Sequence, residues 1–382
     1  MDLTLDESQE ILRSTFSELL ENECPITLIR DSEETGYAPA LWSRYQELGA
    51  HLMGLPEALG GLEMSLLELG LVAQASGRAL APVPFLETAA SGRLLAELAL
   101  NSDAAAGDAA GTARAAAEAV AEGSRLVSLV LPRPFAMAGT ESPTNAPDAA
   151  RLVAFGTAAD QVLFYDGQDL YLLNAGEGST ARRSPLRVNA GSAALAHWRI
   201  SDREAPDAIL LAQGSAASQA ITRASAEWKL LAAFWLVGLA QRALEIGSEY
   251  ARDRIQFGVP IGGFQGIAHP LADAATRLDG AELLAWEAAW ADEADPDRFL
   301  SLSSMAFAWA AQTAQRTTDV SLHTHGGYGF SSEYDIQLYY RRAGALAAVA
   351  GGAREELQSV ASFSAPSSAP SSAPRSHAKQ EA

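Results

Sequence analysis

Tyr250-Ala251-Arg252-Asp253-Arg254-Ile255-Gln256-Phe257-Gly258-Val259-Pro260-Ile261 closes a long apolar helix pattern and turns sharply out of it. Upstream, Leu230, Leu231, Phe234, Trp235, Leu239, Ala243, Ile246 and Tyr250 cover more than one helix face, as expected of a helix buried in a bundle. An arginine just ahead of a Phe-Gly turn can present its planar cation to a diphosphate, with the ring packed alongside. The plainer alternative is a surface arginine at a helix end and a phenylalanine anchored in the core.

Working outward, helical pattern fills 216–361, with further helices over about 271–290 and 300–322. The first 123 residues also read as helix. Leu5, Ile11, Leu12, Phe16, Leu19 and Leu20 follow a 3.6-residue period, and helical signal returns over 65–77. The segment 103–123 is Ala-rich with enough Gly and Asp to leave its order open. Between these halves the texture changes. Leu126-Val127-Ser128-Leu129-Val130-Leu131, Leu152-Val153-Ala154-Phe155, Gln161-Val162-Leu163-Phe164-Tyr165 and Leu170-Tyr171-Leu172-Leu173 are short and β-prone, and Asp166-Gly167 suits a hairpin. The fold class is α+β in three units: helical 1–123, a β unit over 124–205, and a helical bundle over 206–361. The Ala-Pro-Ser-Ser tail, 362–382, reads as disordered.

A second segment, His323-Thr324-His325-Gly326-Gly327-Tyr328-Gly329-Phe330, pairs two histidines with two glycines. Glycines without Cβ let backbone approach a ligand closely, although a helix ended by glycine has the same look. Two histidines without a third ligand or nearby cysteine argue against metal. These two segments, followed by Phe264-Gln265, Leu271-Ala272-Asp273, Glu333-Tyr334 and Tyr340-Arg341-Arg342-Ala343, resemble the C-terminal domain of the acyl-CoA dehydrogenase family. Gly54-Leu55-Pro56-Glu57 with Gly60-Gly61 resembles that family's first domain. The resemblance implies an N-terminal helical domain, a small middle β domain and a C-terminal four-helix bundle. It implies FAD as cofactor and an acyl-CoA thioester as substrate. By the same likeness, Arg254 reaches the FAD pyrophosphate of a neighbouring subunit, with Phe257 and Gln265 nearby. Gly326 and Gly327 line the adenine and ribose end, and His323 stands where the family has a glutamine.

The resemblance also exposes a gap. The family's base is a glutamate that removes the α-proton while the β-hydrogen leaves as hydride to the flavin. Its place falls on Ala350, followed by Gly351 and Gly352. Some members carry the base early in the first long C-terminal helix; that place falls on Trp228, beside Glu227. One residue turns a helix side chain by about 100°, so Glu227 is a weak candidate, and a solvated helix-start glutamate is the alternative. Glu355 and Glu356 read as the exposed start of a terminal helix. In the middle unit only fragments of the family's flavin-contacting segments are found, Thr140-Glu141-Ser142-Pro143 and Trp198-Arg199-Ile200-Ser201. A subgroup of heteromeric actinobacterial acyl-CoA dehydrogenases, acting in steroid and side-chain catabolism, is similar in this respect. That similarity implies a base-lacking partner in an α2β2 heterotetramer, with a sister subunit bearing the base and an electron-transfer flavoprotein or similar acceptor. A self-sufficient homo-oligomeric dehydrogenase or oxidase with a displaced base, and a flavin-free acyl-CoA-binding relic, are the other readings.

Composition narrows the field from another side. A net charge of −20 disfavours nucleic acid, and the densest basic clusters are the pairs Arg182-Arg183 and Arg341-Arg342. Cys24 is the sole cysteine, which excludes an intramolecular disulfide. The N-terminus lacks a basic region followed by an apolar run, and no uncharged stretch approaches the ~18 residues of a membrane span. A cytoplasmic setting is the expectation.

Overall fold

The computed structural model describes residues 4–101, 109–132, 150–175, 184, 189–199 and 208–364. Thr140 to Pro143, Arg182-Arg183, Ile200, Ser201 and 365–382 lie outside them, so the expectations placed there are not addressed.

The first helical layer comprises α1 (Glu7–Glu23), α2 (Ile26–Asp31), α3 (Pro39–Glu47), α4 (Leu66–Arg78), α5 (Phe85–Leu100) and α6 (Ala109–Ala121). Two starts are capping boxes. Asp6 accepts from the Gln9 N–H while Gln9 reaches back to the Asp6 N–H, and Ser65 and Glu68 do the same for α4. Phe16 and Leu20 bury against Tyr45, with the Phe16 and Tyr45 rings edge-on at 5.3 Å. The Gly60-Gly61 pair has a steric cause. Gly60 takes φ 79°, and a Cβ on Gly61 would fall 1.9 Å from the Leu55 carbonyl oxygen.

The small β unit forms a four-stranded sheet in the order β1-β3-β4-β6, from β1 (Val127–Leu129), β3 (Gln161–Tyr165), β4 (Asp169–Asn174) and β6 (Ala208–Gln213). The β1–β3 pairing is parallel and the others antiparallel. The expected hairpin joins β3 to β4: the Asp166 carboxylate accepts from the N–H groups of Gln168 and Asp169, and Gly167 supplies φ 105°. A separate pair, β2 (Ala150–Val153) with β5 (Ala196–Arg199), carries the buried Trp198, whose indole donates to the Gly156 carbonyl at 2.9 Å.

The second helical layer holds α7 (Gly214–Asp253), α8 (Gln265–Ala294), α9 (Pro296–Thr324), α10 (Ile336–Val349) and α11 (Ala353–Ser364). α11 runs past Ser362, where the tail was expected to begin. α7 is the axis: it packs against α9, α8 and α10 on its bundle side and against α4 and α5 on the other. Its run from Leu230 to Phe234 is therefore buried all round. α4 and α7 touch backbone to backbone. A Cβ on Gly77 would lie 1.8 Å from the Trp235 carbonyl oxygen, and one on Gly238 would lie 1.9 Å from that of Gln74. α7 is the one described helix long and apolar enough to cross a membrane, and most of its apolar window is buried in this core. Cys24 is buried beneath it all, its thiol pushed up to about 12 by desolvation.

Candidate active site

The six residues expected around a dinucleotide gather at one end of the C-terminal bundle. Arg254 follows α7 directly, and a two-residue hairpin, β7 (Ile255–Gln256) with β8 (Val259–Pro260), carries Phe257 at its tip. Phe257 takes φ 53° and is 94% exposed, so it is not a core anchor. The Arg254 guanidinium lies 6.0 Å from the Tyr328 ring centroid, joining the hairpin to the short turn of helix Gly326–Phe330. Gln265 opens α8, whose N-cap Phe264 offers no side-chain acceptor; the Ile267 and Ala268 N–H groups bond the Phe264 carbonyl, so those of Gln265 and Gly266 are the ones suited to an anion. His323, exposed on the last turn of α9, shares a cavity of about 260 Å³ with Gly266 and Ile267 of α8 and with Arg316, Asp319 and Thr324. Around Gly326 and Gly327 a Cβ would meet nothing within 4 Å. Two arginines, an uncapped helix start and open glycine backbone fit a diphosphate, and the carboxylate of Asp319 opposes it. Among the described residues no cluster of three His, Cys, Asp or Glu could hold a metal. His325 is instead buried, stacked on Tyr250 at 4.1 Å.

Glu227 is not solvated at a helix start; it lies well inside α7 and is 3% exposed. Arg93 donates to it at 3.0 and 3.2 Å, and Arg223 at 2.7 Å. Asp292 binds Arg223 in turn and stands 3.7 Å from Arg93. Its carboxylate oxygens are thus engaged by guanidinium groups, and accepting a substrate proton would mean breaking that cluster. Glu356 also departs from expectation: it is fully buried and paired with Lys229 at 2.7 Å. Ala350 ends α10 with its methyl in the core, and Gly351 and Gly352 follow at φ 94° and 90°.

Beside Ala350 lies a second cavity, of about 100 Å³, where three layers meet. Arg342, Leu346 and Val349 of α10 form one wall, Leu86 and Glu87 of α5 another, and Phe155 with the 191–195 loop a third; Trp235 of α7 also reaches it. Arg341 braces this arrangement, donating to Gln337, to the Ala190 carbonyl at 2.8 Å and to Glu33. Glu87 is 4% exposed and accepts from the Trp228 indole at 3.2 Å. Burial pushes its carboxyl up to about 7, against smaller opposite pulls from its own backbone N–H and from Trp228. Burial likewise brings the Arg342 guanidinium down to about 10, with Glu33 pulling the other way. Sequence reading passed over Glu87. The available signal was a lone carboxylate in the apolar run Leu80-Ala81-Pro82-Val83-Pro84-Phe85-Leu86-Glu87-Thr88-Ala89-Ala90.

Comparison with known proteins supplies the wider setting. Residues 6–102 match the model for the acyl-CoA dehydrogenase N-terminal domain, and 219–361 match that for the acyl-CoA dehydrogenase C-terminal domain. Acyl-CoA dehydrogenase IpdE2 of Mycolicibacterium smegmatis is 28% identical over 93% of this chain and 98% of its own length. The fold is shared with the ChsE4-ChsE5 complex of Mycobacterium tuberculosis, with TM-score 0.77, 24% identity, and coverage of 97% and 100% of the two chains. It is also shared with a variant of the Tcur3481-Tcur3483 steroid ACAD, with TM-score 0.78, 23% identity, and coverage of 94% and 98%.

Proposed function

The chain belongs to the acyl-CoA dehydrogenase family, whose members are FAD-dependent in general, and from that premise we propose that it completes an FAD site for a sister subunit. The assembly is a heterotetramer that oxidises the α,β bond of an acyl-CoA thioester, with a steroid-derived acyl group as the favoured class. One observation carries this reading. Trp235 of α7 reaches the cavity lined by Val349, and Arg254, the C-cap of α7, stands at the anion-fitting end, about 28 Å further along the helix at 1.5 Å per residue. Arg254 would hold the diphosphate at that separation from this chain's own cavity. The exposed Phe257 and Phe330 rings flanking Arg254 suit burial by another subunit. The resemblance to a chain of the ChsE4-ChsE5 complex agrees with a two-subunit assembly.

When bound, FAD supplies the hydride acceptor. Arg254 fixes the diphosphate by a charge-assisted contact. His323 would offer its ring nitrogens toward the ribose, and Gly326-Gly327 would let the backbone approach. The proton at Cα is removed by the sister subunit, since Ala350 has no group to accept it. Electrons pass on to an electron-transfer flavoprotein or similar acceptor.

A second reading, a self-sufficient enzyme, draws its support from Glu87, a buried carboxyl in the cavity next to Ala350. Turnover of an acyl-CoA by the purified chain with an artificial electron acceptor separates the two. The first reading expects none, and flavin at native stoichiometry only after coexpression with a sister chain. Robust turnover that Glu87→Gln abolishes, with flavin still bound, replaces the first reading by the second.

A further inference from the structure

The cavity between α5, the β unit and α10 is lined mainly by apolar side chains, and it holds two buried polar groups brought from different elements. On α5, Glu87 has the Trp228 indole as its side-chain partner, and among the described residues no cation pairs with it. On α10, Arg342 is 7% exposed, and its Nη1 is buried without a hydrogen-bond partner. The carboxylate oxygen that approaches this nitrogen, Glu33 Oε1, stands 3.8 Å away, beyond hydrogen-bond reach, and already accepts from Arg341 and Ser192. Native structures seldom leave a buried guanidinium N–H unmatched, so the vacant donor asks for an acceptor. A lone water is a poor answer, since it wants two to four polar partners and most of these walls are apolar.

We propose that this cavity receives an apolar acyl group that itself carries a carboxylate, with Arg342 taking the carboxylate and Glu87 facing the same group from α5. The inference rests on the acyl-CoA reading above and adds a substrate class to it. The apolar walls fit the hydrocarbon part. A guanidinium in a dry wall prefers a planar, bidentate anion over a hydroxyl or a methyl. A charged Glu87 would repel such a ligand, whereas a carboxylic acid supplies the second donor, and this site favours the acid form.

The test uses the purified full-length chain and two CoA thioesters of equal chain length, adipoyl-CoA and hexanoyl-CoA, titrated calorimetrically beside CoA alone. Adipoyl-CoA is expected to bind at least about tenfold tighter than hexanoyl-CoA. Arg342→Gln is expected to erase that preference. Equal binding of the two thioesters by the wild-type chain overturns the carboxylate inference and leaves the acyl-CoA reading standing. Binding of neither thioester also overturns the inference, while the shared-FAD reading is judged by flavin content and turnover after coexpression. Should Arg342→Gln lose its cooperative melting transition, Leu346→Trp serves instead. It fills the cavity from α10 without touching either polar group's chemistry, and must abolish the preference. A preference that survives a filled cavity comes from elsewhere and overturns the assignment.

Discussion

The Trp228 indole donates to the Glu87 carboxyl at 3.2 Å across the α5–α7 contact, and this is the neutral end of a polar seam that turns fully ionic one residue to either side. Glu227 is held by Arg93 and Arg223, and Lys229 by Glu356. Consecutive positions on α7 thus point to three different sets of partners, because each residue rotates the side chain by about 100°.

Glu87 makes stability fall as pH rises. Its folded value, about 7, lies above its ordinary 4.5, so the folded chain binds this proton more tightly than the unfolded chain. The contribution is complete below pH 4.5 and is lost as pH climbs toward 7, roughly 3 kcal/mol at most at 1.36 kcal/mol per unit. Glu87→Gln removes the titration. Denaturant melts at pH 5 and pH 7.5 should show wild type losing ground to the variant across that interval; parallel curves would show that the carboxyl is solvated.

Breaking the Lys229–Glu356 pair from one side leaves a buried charge. Lys229→Met is expected to cost about 3–5 kcal/mol, whereas adding Glu356→Leu should recover much of it, since apolar replacement of both partners is often neutral. Urea midpoints of the single and double variants read this directly. A mild single variant would mean that water reaches Glu356.

Arg254→Ala should release flavin without unfolding either chain of a coexpressed complex. A charge-assisted contact is worth roughly 1.5–3 kcal/mol, or one to two decades in affinity. Arg254→Lys should recover only part, because a point charge replaces a planar fork. FAD per complex after dilution is the measurement, and full occupancy in the alanine variant removes Arg254 from the site.

Gly77→Ala adds one methyl where the Trp235 carbonyl oxygen already stands 1.8 Å from the Cβ position. Forcing α4 away from α7 should cost about 1–3 kcal/mol or more, read as a lower melting temperature. Gly167→Ala, where a Cβ meets nothing, should be felt only through its φ of 105°.

The fold was legible wherever periodicity or a motif was long. The period over α1, the 65–77 signal and the Tyr250 to Ile261 turn all appear as read, with ends shifted by a few residues. Arg254, Gln265, His323 and Gly326 were named through the family resemblance, and Gln265 opens a helix whose pattern was read only from Leu271. Burial of acidic residues was not legible. Glu227 and Glu356 look like any helix-surface glutamate, because Arg223 is an ordinary i,i+4 neighbour of Glu227, while Arg93 and Lys229 lie 134 and 127 residues from the glutamates they bind. Glu87 was marked only as a lone carboxylate in an apolar run, and its partner, the Trp228 indole, lies 141 residues away.

The backbone contact between α4 and α7 gives the order of synthesis a role. Residues 66–100 leave the ribosome well before α7, so its long apolar face emerges to meet a surface already made for it, while α8 and α9 are still to come. Deprived of that surface, as in a fragment starting at Gly214, the same helix would present an uncovered apolar stripe to chaperones and bilayers. The N-terminal layer is therefore the template that keeps α7 out of both.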